Sequence, residues 1–225
     1  MMEQASFDGV RAVLFDLDGT LADTAPDLAH AANTMRTVRG LDALPYAALR
    51  PVASHGARGL LGVAFEVVPE HPDYAALRSE FLDNYARRLC VDSDLFAGVA
   101  VLLDTLTARQ IPWGIVTNKA ARFTTPLVAA LALVPAALTV VSGDTTPFSK
   151  PHPAPLLHAA AALSVAPESC LYVGDDRRDI EAGKAAGMHT VAAAYGYCGD
   201  SDPSTWGADA LIHTPLELLS LIALA

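Results

Sequence analysis

Residues 10–24 read VRAVLFDLDGTLADT. The apolar run Ala12, Val13, Leu14 and Phe15 has the length and composition of a strand buried on both faces. It stops at two carboxylates, Asp16 and Asp18. A buried strand ends where the chain reaches water, so the pair stands at the carboxyl end of a strand. Residues i and i+2 of an extended segment point the same way, so the two carboxylates face one spot.

Working outward, further apolar runs repeat the pattern at Trp113–Val116, Leu138–Val141, Leu171–Val173 and His189–Ala193. Helical patterns alternate with them at Ala97–Arg109, Phe123–Ala132, Pro155–Leu163 and Ile180–Ala186. Strands alternating with helices predict an α/β fold, a Rossmann-like, doubly wound parallel sheet. Gly143, Gly174, Gly187 and Gly196 fall at the joints. Between the first two strands lies a gap too long for a simple crossover. It carries the amphipathic patterns APDLAHAANTMRTVRG, GLLGVAFEVV and YAALRSEFLDNYARRL. The expected organisation is a core of residues 1–22 and 94–225 with an inserted α-helical cap over 23–93.

The chain has 225 residues, enough for one core with a small accessory domain. It is 52% hydrophobic and 18% charged, which excludes a disordered chain. The net charge of -10 and the absence of a basic stripe argue against a nucleic-acid partner. Cys90, Cys170 and Cys198 are few, scattered and odd in number, which favours free thiols in a reducing compartment. The opening MMEQASFDG has neither a basic n-region nor an apolar h-region, and the apolar stretch 127–141 is short and broken by Pro135. The expectation is a cytoplasmic protein with no membrane partner. No stretch specifies an oligomeric state.

Three strands end in polar residues: Asp16-Leu17-Asp18-Gly19-Thr20, Thr117-Asn118-Lys119, and Gly174-Asp175-Asp176 with Asp179 behind. Ligands of open α/β sheets bind at the carboxyl ends of strands, so Asp16, Asp18, Thr117, Asp175, Asp176 and Asp179 should converge. So many carboxylates repel one another unless a cation sits among them. Oxygen ligands favour a hard one, Mg²⁺. Each piece alone has a bland reading as a helix cap or a solvated turn. An EF-hand loop is excluded because its sixth position needs Gly, and here it is Leu21. The joint occurrence, in order and at strand ends, favours a site.

Over essentially its whole length the chain resembles the haloacid dehalogenase superfamily of phosphatases. DLDGT is similar to its first motif, Thr117 to its second, Lys150 in SKPHP to its third, and GDDRRD to its fourth. VTNK, SKPHPAPL and VGDDRRDIEAGKAAGM resemble the phosphoglycolate phosphatase branch. SHGARGL, NKAARF and YGY are also similar to bacterial N-acetylmuramic acid 6-phosphate phosphatases.

The resemblance implies that Asp16 is a nucleophile forming an aspartyl-phosphate and that Asp18 is the general acid and base. It implies Mg²⁺ held by the Asp16 carboxylate, the Asp18 carbonyl and Asp175, with Asp176 and Asp179 ordering the water ligands. Thr117 and the Asn118 N–H would bind phosphoryl oxygens, and Lys150 would offset their charge. Asn118, Lys119 and Arg122 would face a small phosphorylated metabolite.

Within the superfamily, Asp18 argues against a dehalogenase, which lacks that second aspartate. The insert holds no lysine for a phosphonate-cleaving Schiff base, since the lysines are Lys119, Lys150 and Lys184. A sugar phosphomutase keeps the same core residues, and a non-catalytic scaffold is free to lose them. P-loop hydrolysis lacks its signature.

In SHGARGLLG, Gly56 and Gly59 flank Arg58, which reads as a loop able to approach a ligand. Phosphoglycolate and N-acetylmuramic acid 6-phosphate both carry a carboxylate, and a guanidinium matches it in a bidentate fork. The bland alternative is a glycine-rich helix start with Arg58 in water. His55 reads as a loop histidine, and His152 and His158 lie near a helix start. Trp113 reads as packing beside its strand, Arg177 and Arg178 as solvated unless one pairs with Asp176. Tyr195 and Tyr197 are left open between core and rim.

Overall fold

The computed structural model describes residues 6–199 and 201–222. Its strands are β1 (Ala12–Phe15), β2 (Ala22–Asp23), β3 (Asp94–Leu95), β4 (Trp113–Val116), β5 (Val140–Val141), β6 (Cys170–Gly174), β7 (His189–Ala193) and β8 (Ala210–Ile212). Its helices are α1 (Ala25–Val38), α2 (Tyr46–Leu49), α3 (Gly56–Phe65), α4 (Tyr74–Arg87), α5 (Val99–Ala108), α6 (Ala121–Ala130), α7 (Ala154–Leu163), α8 (Arg177–Ala185) and α9 (Leu218–Leu221).

Among the described residues, six strands form one sheet in the order β5-β4-β1-β6-β7-β8, every pair parallel. β1 is central, with Phe15 registered against Ile115 on one side and Val173 on the other. Its residues alternate between faces, as the pleat requires. Val13 and Phe15 join Leu102, Leu106 and Leu127 in one core, whereas Ala12 and Leu14 join Leu156, Tyr172 and Ala182 in another. The doubly wound sheet expected from the sequence is thus the fold.

Helices α1 to α4 lie between β2 and β3, which pair antiparallel. They bury an apolar core of their own, with Leu28, Met35, Leu49, Leu60, Phe81 and Tyr85. Phe123 and Tyr197 of the sheet layer pack into it.

Some boundaries differ from the sequence reading. The run Leu138–Val141 keeps only Val140 and Val141 as strand, because Leu138 lies at the sheet's edge with 64% of its surface exposed. β8 was not anticipated; it is three residues long and gains its partners only from β7. The segment around Arg58 is not a loop. A 3-10 turn, Arg50–His55, runs into α3, and Arg58 sits in the first turn of that helix. Gly59 is needed there because a Cβ would stand 2.6 Å from the Val52 carbonyl oxygen. No helix among the described residues is long and apolar enough to cross a membrane.

Candidate active site

The carboxyl ends of β1, β4 and β6 are neighbours in the sheet, so the residues that follow them meet. Asp16, Asp175 and Asp179 each offer a carboxylate oxygen, and these oxygens all lie within 4.8 Å of one another. All three residues are buried. Asp179 reaches the cluster from the first turn of α8. Its side chain accepts the Asp176 N–H at 3.1 Å, while Asp176 accepts the Arg178 N–H at 2.8 Å, a reciprocal cap.

Among the described residues, Lys150 is the cation paired with this cluster. The Lys150 ammonium lies 2.9 Å from Asp16 Oδ1 and 2.7 Å from Asp179 Oδ1, and donates to the Tyr172 hydroxyl at 2.8 Å. Asn118 holds Lys150 in place: its amide donates to the Lys150 carbonyl and accepts the Lys150 N–H, both at 3.0 Å. Burial pushes the Asp16 carboxyl up to about 7 against the pull of Lys150, and Asp179 and Asp18 add to the rise. Burial, then Asp16 and Asp179, push Asp175 well above the usual carboxylate range. Burial works against the Lys150 charge, but Asp16 and Asp179 outweigh it and raise the ammonium. Three clustered carboxylates, two of them paired with one lysine, leave an excess of acceptors that an added cation would satisfy.

Asp175 is held from three directions. The Thr20 hydroxyl donates to Oδ1 at 2.9 Å, the Tyr197 N–H to Oδ2 at 2.8 Å, and the Ser54 hydroxyl to Oδ2 at 3.1 Å. Gly19 allows the close approach: φ is +87° and a Cβ would stand 2.1 Å from Asp175 Oδ2. Asp18 accepts from the Thr24 hydroxyl and from Lys119, whose ammonium is 2.9 Å away. The same ammonium donates to the Tyr85 hydroxyl of α4 at 3.1 Å, so one lysine ties Asp18 to the helical layer. Asp18 and Tyr85 outweigh the burial that acts against the Lys119 charge. Thr117 is buried and accepts the Lys119 N–H at 3.1 Å.

The structure therefore clusters Asp16, Asp175 and Asp179 and sets Lys150 between Asp16 and Asp179, with Asp18, Thr117, Asn118, Lys119 and Asp176 lining one cavity together with Asp16, Asp179 and Lys150. Lys119 is engaged by Asp18 and the Asn118 side chain by Lys150. Asp176 is bonded twice by the Arg178 guanidinium, at 2.8 Å each, and those bonds outweigh burial and hold its carboxyl low. Arg178 also donates to the Ser54 carbonyl at 2.9 Å, so of the two arginines it is the one that pairs with Asp176, whereas Arg177 is exposed beside Glu181. His55 is exposed, 3.7 Å from Asp176. Trp113 is buried, and Tyr197 is buried with its hydroxyl donating to Asp23 at 2.6 Å. Thr20, Ser54, Tyr85 and Tyr172 were not picked out from the sequence. Thr20 and Ser54 lie inside the quoted motifs DLDGT and SHGARGL, whereas Tyr85 and Tyr172 follow the core periodicity and give no signal.

A carboxylate cluster at the sheet's carboxyl edge, under a layer of helices, fits a known class. The model of the haloacid dehalogenase-like hydrolases matches residues 13–193, and the chain belongs to that family. It is 45% identical over 214 residues to N-acetylmuramic acid 6-phosphate phosphatase of Pseudomonas putida, across 95% of this chain and 96% of that one. It is 47% identical over 212 residues to phosphoglycolate phosphatase of Xanthomonas campestris pv. campestris, across 92% and 94%. The crystal structure of a predicted phosphoglycolate phosphatase from Haemophilus somnus 129pt superposes with a TM-score of 0.84 at 26% identity, across 96% of this chain and 99% of that one.

Proposed function

We propose that the chain is a phosphatase that hydrolyses a small, carboxylate-bearing phosphate monoester through an aspartyl-phosphate on Asp16, with Mg²⁺ as cofactor. The observation that carries this reading is the cluster of Asp16, Asp175 and Asp179 at the sheet's carboxyl edge, with Lys150 bridging Asp16 and Asp179. The named relatives, a phosphoglycolate phosphatase and an N-acetylmuramic acid 6-phosphate phosphatase, support the substrate class. Residues 1–22 and 94–225 are the catalytic core in this reading, and 23–93 the cap that selects the substrate. The free thiols Cys90, Cys170 and Cys198 accord with action in the cytoplasm.

Asp16 attacks phosphorus as the ester oxygen departs with a proton from Asp18. Asp18 then takes a proton from water, whose oxygen attacks the same phosphorus and frees Asp16 and inorganic phosphate. Thr117 and the Asn118 N–H bind phosphoryl oxygens, and Lys150 keeps Asp16 and the transferring group from repelling each other. Mg²⁺ suits a donor set made of oxygen alone. Asp16, Asp175 and the Asp18 carbonyl would hold it, with Asp179 and Asp176 steadying its water ligands. When bound, the ion offsets carboxylate charge that otherwise repels the substrate phosphate.

The test is phosphate release from p-nitrophenyl phosphate and from a panel of natural esters, with Mg²⁺ and with excess chelator. Turnover should require Mg²⁺ and return when it is restored. Undiminished activity in chelator removes the metal, and no turnover on any ester removes the phosphatase.

A further inference from the structure

Six of the fifteen basic side chains of this acidic protein line one cavity between the helical layer and the sheet edge: Arg58, Arg78, Lys119, Arg122, Lys150 and Arg178. Three are matched by aspartates, Lys119 by Asp18, Lys150 by Asp16 and Asp179, and Arg178 by Asp176. Arg58, Arg78 and Arg122 pair with no carboxylate among the described residues. Arg58 and Arg78 come from α3 and α4 of the helical layer. Arg122, at the start of α6, has its guanidinium 4.5 Å from the centre of the Phe123 ring.

The cavity measures about 340 Å³. At about 30 Å³ per water, that is room for on the order of ten waters. A two-carbon acid esterified to phosphate fills a minor part of it. The cavity is also not polar throughout, since Leu28, Phe81, Leu82 and Phe123 contribute to its lining. An apolar wall with a few placed charges is the build of a pocket for a ligand of sugar size or larger. The phosphoryl end belongs to Asp16 and Lys150, so the three arginines are surplus to it.

We infer that Arg58, Arg78 and Arg122 form a second anion subsite, which takes a carboxylate on the leaving group of a carboxylated sugar phosphate. This rests on the reading of the phosphoryl end proposed above. The sugar body lies against the apolar wall, and the carboxylate meets the guanidinium forks of Arg58 and Arg78 from the helical layer and of Arg122 from α6. A two-carbon ester places its carboxylate too close to phosphorus to use the wall and the arginines together.

The test separates affinity from turnover. An Asp16→Asn background removes hydrolysis, and calorimetry then compares N-acetylmuramic acid 6-phosphate, N-acetylglucosamine 6-phosphate and phosphoglycolate. The first should bind about tenfold or more tightly than either of the others. Adding Arg58→Ala or Arg78→Ala should weaken it by about tenfold, and leave the sugar without a carboxylate within about twofold. Both arginines are exposed, so thermal melts should not move, and Arg→Lys should restore only part of the loss. Tightest binding of phosphoglycolate overturns the inference. So does an equal loss on both sugars, which means a phosphate or structural role, or no loss on either, which means solvated arginines. If wild-type protein turns over no phosphate ester of the panel, the phosphatase reading falls, and the affinity ranking still decides the subsite.

Discussion

Asp16 and Asp18 are two residues apart and differ in every neighbour. Asp16 is buried against Lys150, and burial pushes its carboxyl up to about 7. Asp18 accepts from Thr24 and Lys119. The site already favours a neutral group at Asp16, so Asp16→Asn should keep the fold and its melting temperature. Turnover should fall on the order of a thousandfold or more, because an amide does not form the acyl-phosphate. Rapid turnover by that variant would remove Asp16 as nucleophile. Asp18→Asn loses proton transfer instead. It should harm alkyl phosphates far more than p-nitrophenyl phosphate, whose phenolate leaves without a proton. Equal losses on both esters would take the acid role away from Asp18.

At the scale of elements, the helical layer is tied to the sheet through its two crossings. The return crossing is closed by Asp27 of α1, a fully buried carboxylate. It accepts the N–H groups of Val91, Asp92 and Ser93 and the Ser93 hydroxyl, and Arg88 stands 3.5 Å away. Removing this buried acceptor leaves several part-buried donors without their partner at once, which costs more than an average hydrogen bond. Asp27→Ala should destabilise by about 3 kcal/mol in urea unfolding. A loss under about 1 kcal/mol would mean that water replaces the carboxylate. Further ties come from the 3-10 turn before α3. Ser54 reaches Asp175, and Arg50 donates to the Gly196 carbonyl at 3.1 Å. The helical layer thus contributes a hydroxyl to the same carboxylate cluster that the sheet assembles.

The whole molecule carries a net charge of -10 and concentrates buried carboxylates at one edge. This sets a pH signature. The Asp16 carboxyl rises from an ordinary 3.8 to about 7, and Asp175 also rises well above its ordinary range. Without a bound cation, the folded protein therefore keeps protons that the unfolded chain releases above about pH 4. Stability from these groups is complete below that pH and is lost as pH rises through the folded values, near 7 for Asp16. A cation needs the ionised carboxylates, so its stabilisation grows across the same window. In chelator the melting temperature should fall by several degrees between about pH 5 and 8, and the increment from Mg²⁺ should increase over that range. A constant increment would place the cation away from Asp16 and Asp175.

Local rules made much of this protein legible. Short apolar runs bounded by polar residues gave away the strands Ala12–Phe15, Trp113–Val116 and His189–Ala193, because a strand buried on both faces has no other composition available. Strand ends named Asp16, Asp18, Thr117 and Asp175, because a parallel sheet gathers its carboxyl ends on one side. The short edge strands β5 and β8 were less legible, since their pairing depends on a neighbour more than on their own residues. Contacts across the chain lay outside the reach of pattern. Thr20 and Ser54 meet Asp175 from 155 and 121 residues away, and nothing in either neighbourhood records the other. The same holds for the arginines. Composition counts fifteen cations alike, but packing matches Lys119, Lys150 and Arg178 to aspartates and, among the described residues, leaves Arg58, Arg78 and Arg122 without them. Pairing falls off with distance in space, and only the fold converts separation along the chain into that distance.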